Sequence, residues 1–332
     1  MRDALDSFRA AVFAALGRAT VLPEVIEPGR LHRFSTNGKR GDTSGWCQFF
    51  ADARAGVYGN WRESTQGVWT ATDRRSMSPA QATELARQVK AAAAAREAAK
   101  RTGWGEAAQR LAALWAQCRA VPADGTGTDP VTLYLRHRLA LAAGEALAVP
   151  DVLRLHPGIP YHHDGAPVGR WPAMVAAPQD PDGATVALHR TWLTSEGRKA
   201  PTPGPCKKLT QAAGPVMTGC IRLAWLGDGA GDALGIAEGL ETALAARVAS
   251  GVPTVAAYCA GALAAWQWPR ELKRMVIFAD ADAPGAEAAN TLGMRAGAAD
   301  LTVQVMTPTT PGADWCDVWA TRGATRAVEV AA

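Results

Sequence analysis

The last hundred residues alternate between short apolar runs and helical patterns, and this alternation constrains the fold more than any other feature of the chain. The predicted order is strand 234–239, helix 240–250, strand 253–261, a short helix through Trp266, strand 274–282, helix 283–297, strand 301–308 and helix 314–322. Apolar strands that alternate with helices are typical of a parallel sheet covered by helices on its faces. We therefore predict a small parallel α/β domain here.

Acidic residues follow three of these strands. Glu238 ends the first strand, Asp280 and Asp282 end the third, and Asp314 and Asp317 follow the fourth. The carboxyl ends of parallel strands meet at one edge of a sheet, where such folds bind ligands. Carboxylates this close repel one another unless a divalent cation binds them, and oxygen ligands favour Mg²⁺ or Mn²⁺ over zinc.

A plainer interpretation is that these acids cap the helices that follow them. Asp282 stands ahead of Pro284 and Gly285 and can cap without any metal. Capping accounts less well for Glu238, because the helix after it has an acid of its own, Glu241. We favour the metal site.

The first hundred residues have a different pattern. Residues 1–20 read as an amphipathic helix, and the aromatic, basic and turn-rich segment 30–72 as a small antiparallel sheet. Ser78 and Gln81 form a capping box for a helix that runs towards Gly103.

The middle of the chain changes from helices to strands. We expect helices over 104–119 and 131–140, the second capped by Asp129, and then a β-hairpin over 170–193 that turns at Asp182 and Gly183. The glycine-rich segment 226–233 is the candidate boundary. The predicted domains are an N-terminal α+β region (1–103), a mixed basic subdomain (104–231) and the parallel α/β domain (232–332), so that the fold class is α/β and α+β.

The net charge of +4 is unevenly distributed. Residues 1–120 hold 18 Lys and Arg against 11 Asp and Glu, whereas residues 232–332 hold 7 against 11. A basic N-terminal part and an acidic C-terminal part suit a protein that binds a polyanion and concentrates its carboxylates in another region. Ordinary scatter of surface charge is the alternative.

The sequence lacks the motifs that are typical of several classes of function. The six cysteines form no CxxC pair, so we expect neither a zinc ribbon nor a disulfide framework, and no zinc. There is no GxxxxGK[ST], GxSxG or HExxH, which argues against a P-loop, a serine hydrolase and a zinc protease. We find no membrane span or secretory signal and expect a cytoplasmic protein.

The amino-acid sequences of the C-terminal motifs are specific enough to resemble one known family. AEGLETALAA, VIFADADAPGAEAA and DWCDV, within about residues 232–320, resemble the Toprim domain of phage and plasmid primases, the primases of mobile genetic elements. Upstream, GRWPAMVAAPQDPDGATVALHRTWL, GRKAP and CKKL are similar to the basic subdomain ahead of Toprim in bacterial-type primases.

The resemblance implies roles for individual residues. Glu238, Asp280 and Asp282 match the catalytic and metal-binding acids of the family, and Asp314 or Asp317 matches an additional acid. It also implies that a set of cations binds template or triphosphate: Arg170, Arg190, Lys199, Lys207, Lys208 and Arg222.

The N-terminal segment adds a second candidate surface. Arg33, Lys39 and Arg40 lie among tryptophans that could hold single strands by stacking and phosphate contacts. A small aromatic core accounts for those tryptophans equally well.

The implied function is DNA primase activity, the synthesis of short primers on single-stranded DNA from NTPs or dNTPs with two Mg²⁺ or Mn²⁺ ions. A separate replicative helicase is the expected partner. Two alternatives remain, a metal-dependent Toprim-type nuclease and a non-catalytic DNA-binding adaptor.

Overall fold

The computed structural model describes residues 2–39, 42–61, 65–228 and 231–321. The chain divides into two compact units, Met1–Thr102 and Gly103–Ala332. Within the described residues no helix is both long and apolar enough to cross a membrane.

The secondary structure consists of helices, short 3₁₀ turns and three sheets. The helices are α1 Arg2–Leu16, α2 Pro79–Ala116, α3 Pro130–Arg138, α4 Leu240–Ser250, α5 Ala260–Ala265 and α6 Ala283–Gly297, with 3₁₀ turns at Arg74–Ser76 and Val216–Thr218 and further helical residues at 315–321. The strands of the first sheet are β1 Leu31–Phe34, β2 Gly45–Phe49, β3 Ala55–Asn60 and β4 Thr65–Thr70. The remaining strands are β5 Arg119–Ala120, β6 Leu153–His163, β7 Ala166–Ala176, β8 Pro178–Gln179, β9 His189–Trp192, β10 Lys207–Leu209, β11 Cys220–Ile221, β12 Ala233–Ala237, β13 Thr254–Ala256, β14 Arg274–Phe278 and β15 Thr302–Met306.

The first unit contains an antiparallel sheet in the order β1-β2-β3-β4 and helix α1. α1 buries its apolar stripe, with the ring of Phe8 centred 5.3 Å from Phe49 and 5.7 Å from Trp69. Gly56 of β3 permits this packing, because a Cβ there would lie 2.7 Å from the Phe8 ring. The predicted helix and antiparallel sheet are both confirmed.

Helix α2 corrects one expectation. The Ser78 amide donates to Gln81 Oε1 (2.8 Å) and the Gln81 amide to Ser78 Oγ (3.3 Å), so the capping box is confirmed. The predicted end near Gly103 is wrong, because the helix continues through Gly103 and Gly105. Neither glycine takes a positive φ. A glycine costs a helix only about 1 kcal/mol, which the surrounding Ala, Glu, Lys and Arg tolerate.

The second unit begins with a five-stranded sheet in the order β10-β9-β7-β6-β5. α3 starts as predicted, since Asp129 Oδ1 accepts from the amides of Val131 (2.9 Å) and Thr132 (3.1 Å). The predicted hairpin is present as the antiparallel pair β7 and β9, with a turn in which Gly183 donates to the Asp180 carbonyl and has φ +90°. Its second strand is shorter than expected.

The six-stranded sheet has the order β15-β14-β12-β13-β11-β8, of which β12 to β15 are parallel. The last four residues of β12 and of β14 are buried, which is the environment that their continuous apolar sequence predicts. The predicted α/β and α+β fold class is confirmed. β8 and β11 also belong to this sheet although they precede residue 232. The three-domain division stays a prediction.

Candidate active site

Glu238 directly follows the central strand β12. Its carbonyl accepts a 2.7 Å hydrogen bond from the Tyr258 amide. Burial raises the pKa of the half-buried Glu238 carboxyl, the charge of Asp282 raises it further, and the nearby amide of Ala260 opposes both. The carboxylate therefore lies at the carboxyl edge of the sheet, within electrostatic reach of the acids after β14.

Asp280 and Asp282 follow β14, at the same edge. Asp282 is exposed and its Oδ1 accepts a 2.7 Å hydrogen bond from the Gly285 amide, so it caps α6. The helix-capping interpretation is thus correct for one oxygen of Asp282. Each carboxylate has a second oxygen, so a cap does not exclude a further ligand.

Asp280 differs from Asp282 because its Oδ1 is buried and has no hydrogen-bond partner within the described part of the chain. Burial raises the pKa of Asp280 to about 7, with further contributions, in decreasing order, from the charges of Glu238, Asp314, Asp282 and Asp317. Acids from three different strand ends therefore act on one side chain, as the sequence predicts for residues at one sheet edge.

Asp314 and Asp317 start the last described helix. The Asp317 amide donates to Asp314 Oδ1 (2.8 Å) and the Asp314 amide to Asp317 Oδ2 (3.3 Å), a reciprocal cap ahead of residues 315–321. Asp314 acts on Asp280 more strongly than Asp317 does. This order favours Asp314 as the additional acid, an assignment that stays a prediction.

The chemistry of these acids fits a hard divalent cation. The donors are all carboxylate oxygens, they repel one another, and one buried oxygen lacks a partner in the described structure. Among residues 2–39, 42–61, 65–228 and 231–321, however, no three His, Cys, Asp or Glu side chains are placed to share one ion. The residues present fit Mg²⁺ or Mn²⁺ by charge and donor type.

Glu241 is a residue whose importance the sequence interpretation missed. It lies in the first turn of α4, is only 3% exposed, and accepts 2.6 Å hydrogen bonds from the Tyr134 hydroxyl and the Lys207 ammonium. Burial favours its neutral form, but Lys207 and Tyr134 together lower the pKa of Glu241 to about 2. A glutamate within the apolar run LETALAARVAS was the available signal for a buried, paired acid.

Arg138, the last residue of α3, was also missed. Its Nε is buried and has no hydrogen-bond partner in the residues that the structure describes. Burial alone would lower the pKa of Arg138, but Cys316, Tyr134, Glu241 and Asp314 raise it overall. A guanidinium with an unpaired buried donor beside the acid cluster is suited to bind an anionic ligand. No local pattern identifies it, because its acidic neighbours are remote in sequence.

The predicted cations of the basic subdomain are mostly anchored to backbone carbonyls. The contacts are Arg170 to Gly158 (2.8 Å), Arg190 to Leu209 (3.0 Å), Lys208 to His162 (2.7 Å) and Arg222 to Asp180 (3.0 Å). Lys199 is exposed, whereas the charge of Lys207 is matched by Glu241. Arginine and lysine have several donors each, so the anchored cations keep N–H groups for a ligand.

The N-terminal tryptophans are stacked within their own unit. Arg33 lies 3.7 Å from the ring centroid of Trp61, Trp61 lies 5.6 Å from Trp46, and Arg96 lies 4.2 Å from Trp46. Trp46 is buried and belongs to the core, while Trp61 is 44% exposed. Lys39 is exposed, and Arg40 lies outside the described residues. The nucleic-acid role of Arg33, Lys39 and Arg40 stays a prediction.

Two family models match consecutive parts of the chain. Residues 105–221 match a domain of unknown function (DUF7146), and residues 233–325 match the Toprim domain. Residues 233–325 form a Toprim domain. No curated protein matches the chain.

The chain also resembles solved primase structures at low identity. A DNA primase domain from Pseudomonas aeruginosa is 14% identical (52% of this chain, 55% of that one, TM-score 0.35). The Aquifex aeolicus primase, with zinc-binding and RNA polymerase domains, is 14% identical (52% and 43%, TM-score 0.34). The primase fragment of the bacteriophage T7 primase-helicase protein is 15% identical (59% and 68%, TM-score 0.34). The chain thus spans about half the length of the first two structures.

The two matched regions contribute different charges to the candidate site. The Toprim domain contributes Glu238, Asp280 and Asp314, and the DUF7146 region contributes Arg138 and Lys207. Glu241 of the Toprim domain bonds to Lys207 of the DUF7146 region, so the two matched regions are in direct contact.

Proposed function

We propose that this chain is the core of a DNA primase that joins nucleotides into short primers on a single-stranded DNA template. The observation that carries the proposal is that the charges of Glu238 and Asp314 act on Asp280 at the edge of a Toprim sheet, where one buried Asp280 oxygen has no partner among the described residues. An oxygen in that state suits a site that acts on phosphate with a divalent cation.

The acids have separate tasks in this proposal. Asp280, Asp282 and Asp314 would hold Mg²⁺ or Mn²⁺, which neutralise the charge of the triphosphate and activate the attacking hydroxyl when bound. Glu238 either joins that ligand set or accepts the proton of the 3′-hydroxyl. A raised pKa suits the second task, because an effective base has a pKa closer to neutrality.

The basic half would bind the substrates. Arg138 would bind a phosphate of the incoming nucleotide, because its guanidinium lies within electrostatic reach of Asp314. Exposed Lys199 and the anchored arginines would contact the template backbone, in which each phosphate carries one negative charge. A separate helicase partner belongs to the proposal as well.

The test is primer synthesis on unprimed single-stranded DNA with ribo- or deoxynucleotides and Mg²⁺ or Mn²⁺. The double variant Asp280→Asn/Asp282→Asn should lose all products yet keep its DNA affinity or raise it slightly, because negative charge is removed. Asp232→Asn/Asp300→Asn removes two exposed acids of the same domain and should keep the activity.

Other outcomes would contradict the proposal. Full activity in the Asp280→Asn/Asp282→Asn variant would exclude the assigned site. A shortened template without products would indicate a nuclease. Metal-independent DNA binding without any turnover would indicate an adaptor.

A further inference from the structure

Tyr258 has a backbone conformation that a tyrosine rarely adopts. It follows β13 at the carboxyl edge of the Toprim sheet and has φ +62°, in the left-handed region. A side chain with a Cβ is disfavoured there by about 1–2 kcal/mol, and non-glycine residues in this region cluster at functional sites. Two points therefore need explanation: which contacts hold Tyr258 in this conformation, and what the conformation contributes to the site.

The use is visible in the contacts of Glu238. The amide of Tyr258 donates to the Glu238 carbonyl (2.7 Å), and the amide of Ala260, two residues later, lies near enough to the Glu238 carboxylate to lower its pKa. One short segment thus bonds to the main chain of this acid and adjoins its side chain. The left-handed residue bends the chain at the point where these two amides approach Glu238.

The cause lies in the Tyr258 side chain. Its hydroxyl donates to the carbonyl of Val216, in the 3₁₀ turn ahead of β11, and its ring packs against the apolar cores on both faces of the sheet. These contacts fix the residue from the side-chain end. A strained backbone persists where the surrounding structure over-determines it in this way.

We propose that Tyr258 is a positioning residue that holds the Glu238 carboxylate in place for a divalent cation. It acts through the amides of its own segment and touches neither substrate nor metal. This inference rests on the proposed function, because it assigns Glu238 to the site formed with Asp280 and Asp282.

The test compares two variants of the full chain. Tyr258→Phe keeps the ring and removes the hydroxyl bond to Val216, and Tyr258→Gly removes the strain together with the anchor. Tyr161→Phe is the control for stability, because it also removes one hydroxyl bond to a backbone carbonyl. Tyr161 lies in β6, in the other sheet of this unit, and its hydroxyl donates to the Pro205 carbonyl.

The first readout is binding of Mn²⁺ alone, measured by electron paramagnetic resonance of the free ion. Both Tyr258 variants should bind Mn²⁺ about five- to tenfold more weakly, the effect of losing one hydrogen bond. Tyr258→Phe should lower the melting temperature no more than Tyr161→Phe does. A purely structural role would lower stability and leave Mn²⁺ affinity unchanged.

The second readout is primer synthesis as a function of Mn²⁺ concentration. The half-saturating concentration should rise in Tyr258→Phe while the rate at saturating Mn²⁺ recovers. If wild type binds Mn²⁺ in an Asp280-dependent way and folded Tyr258 variants bind it equally well, the inference is overturned and the proposed function stands. If wild type shows no Asp280-dependent Mn²⁺ binding, both fail.

Discussion

The ammonium of Lys207 donates a 2.6 Å hydrogen bond to the buried carboxylate of Glu241, and the two residues belong to different family matches. The Lys207 side chain is 35% exposed and that of Glu241 only 3%. A carboxylate is rarely buried unless its charge is paired and both oxygens are hydrogen-bonded. Lys207 and Tyr134 meet these conditions, so the DUF7146 region supplies both partners that the Toprim helix α4 needs.

Replacing Lys207 should therefore destabilise the protein. Lys207→Met leaves Glu241 buried without its counter-ion, which costs about 3 kcal/mol when one partner of a buried pair is removed. Chemical denaturation followed by tryptophan fluorescence measures the change. The double variant Lys207→Met/Glu241→Gln should recover part of the loss, since glutamine is neutral and still accepts from Tyr134. Equal stability of Lys207→Met and wild type would show that the pair is weak.

Asp280 should make the metal-free protein less stable as the pH rises. Its pKa is raised from 3.8 to about 7, so the folded state holds the proton more tightly than the unfolded state. The contribution is complete below about pH 4 and is lost by about pH 7, and partial exposure reduces it to about 1–2 kcal/mol. Thermal denaturation in a chelator from pH 4 to 8 should show this loss in wild type and not in Asp280→Asn.

The same pair of proteins tests for the metal. Mn²⁺ at pH 7.5 should raise the melting temperature of wild type, because a ligand that binds the folded state stabilises it, and should leave Asp280→Asn unchanged. An equal rise in both proteins would place the ion elsewhere.

Arg138 should contribute to nucleotide binding. Arg138→Met removes a guanidinium beside Asp314 and should weaken binding of a fluorescent nucleoside triphosphate about tenfold, the loss of one charge-assisted hydrogen bond. Arg138→Lys keeps the charge but loses the forked set of donors, so its nucleotide affinity should lie between those of wild type and Arg138→Met. The exposed Arg119, replaced by Gln, is the control for net charge. Equal affinities in the Met variant and this control would exclude Arg138 from the nucleotide site.

The continuity of α2 predicts a stabilising substitution. A Cβ at Gly103 meets no atom within 4 Å, and the residue has ordinary helical neighbours on both sides. Gly103→Ala should therefore raise the helical signal in circular dichroism and stabilise the chain by about 0.5–1 kcal/mol. If the helix instead ended near Gly103, the substitution would bring no gain.

Local patterns predicted much of this protein. The strand and helix periodicities of residues 232–332 indicated the parallel sheet, since alternating buried strands and helices can pack in few other ways. The position of Glu238, Asp280 and Asp314 after separate strands then implied that they share one edge. Ser78 and Asp129 predicted where their helices begin, because a capping side chain bonds to backbone amides within three residues of itself.

Other features depended on contacts between remote parts of the chain. Tyr134 and Glu241 are 107 residues apart, and Lys207 and Glu241 are 34 apart, so no periodicity relates them. From the sequence alone, Lys207 cannot be distinguished from an ordinary surface cation, because its partner Glu241 is remote along the chain. Arg138 likewise gains its significance from Asp314, which only the tertiary structure places near it.

The sequence by itself determined the class of sheet, the edge at which the acids gather and the chemistry that carboxylates can support there. Only the tertiary structure decided which charges are matched inside the protein, which oxygen has no partner among the described residues and which amide bonds to the Glu238 carbonyl. The physical reason is that strand alternation and helix capping act over a few residues, whereas burial and charge pairing depend on which distant side chains are brought together.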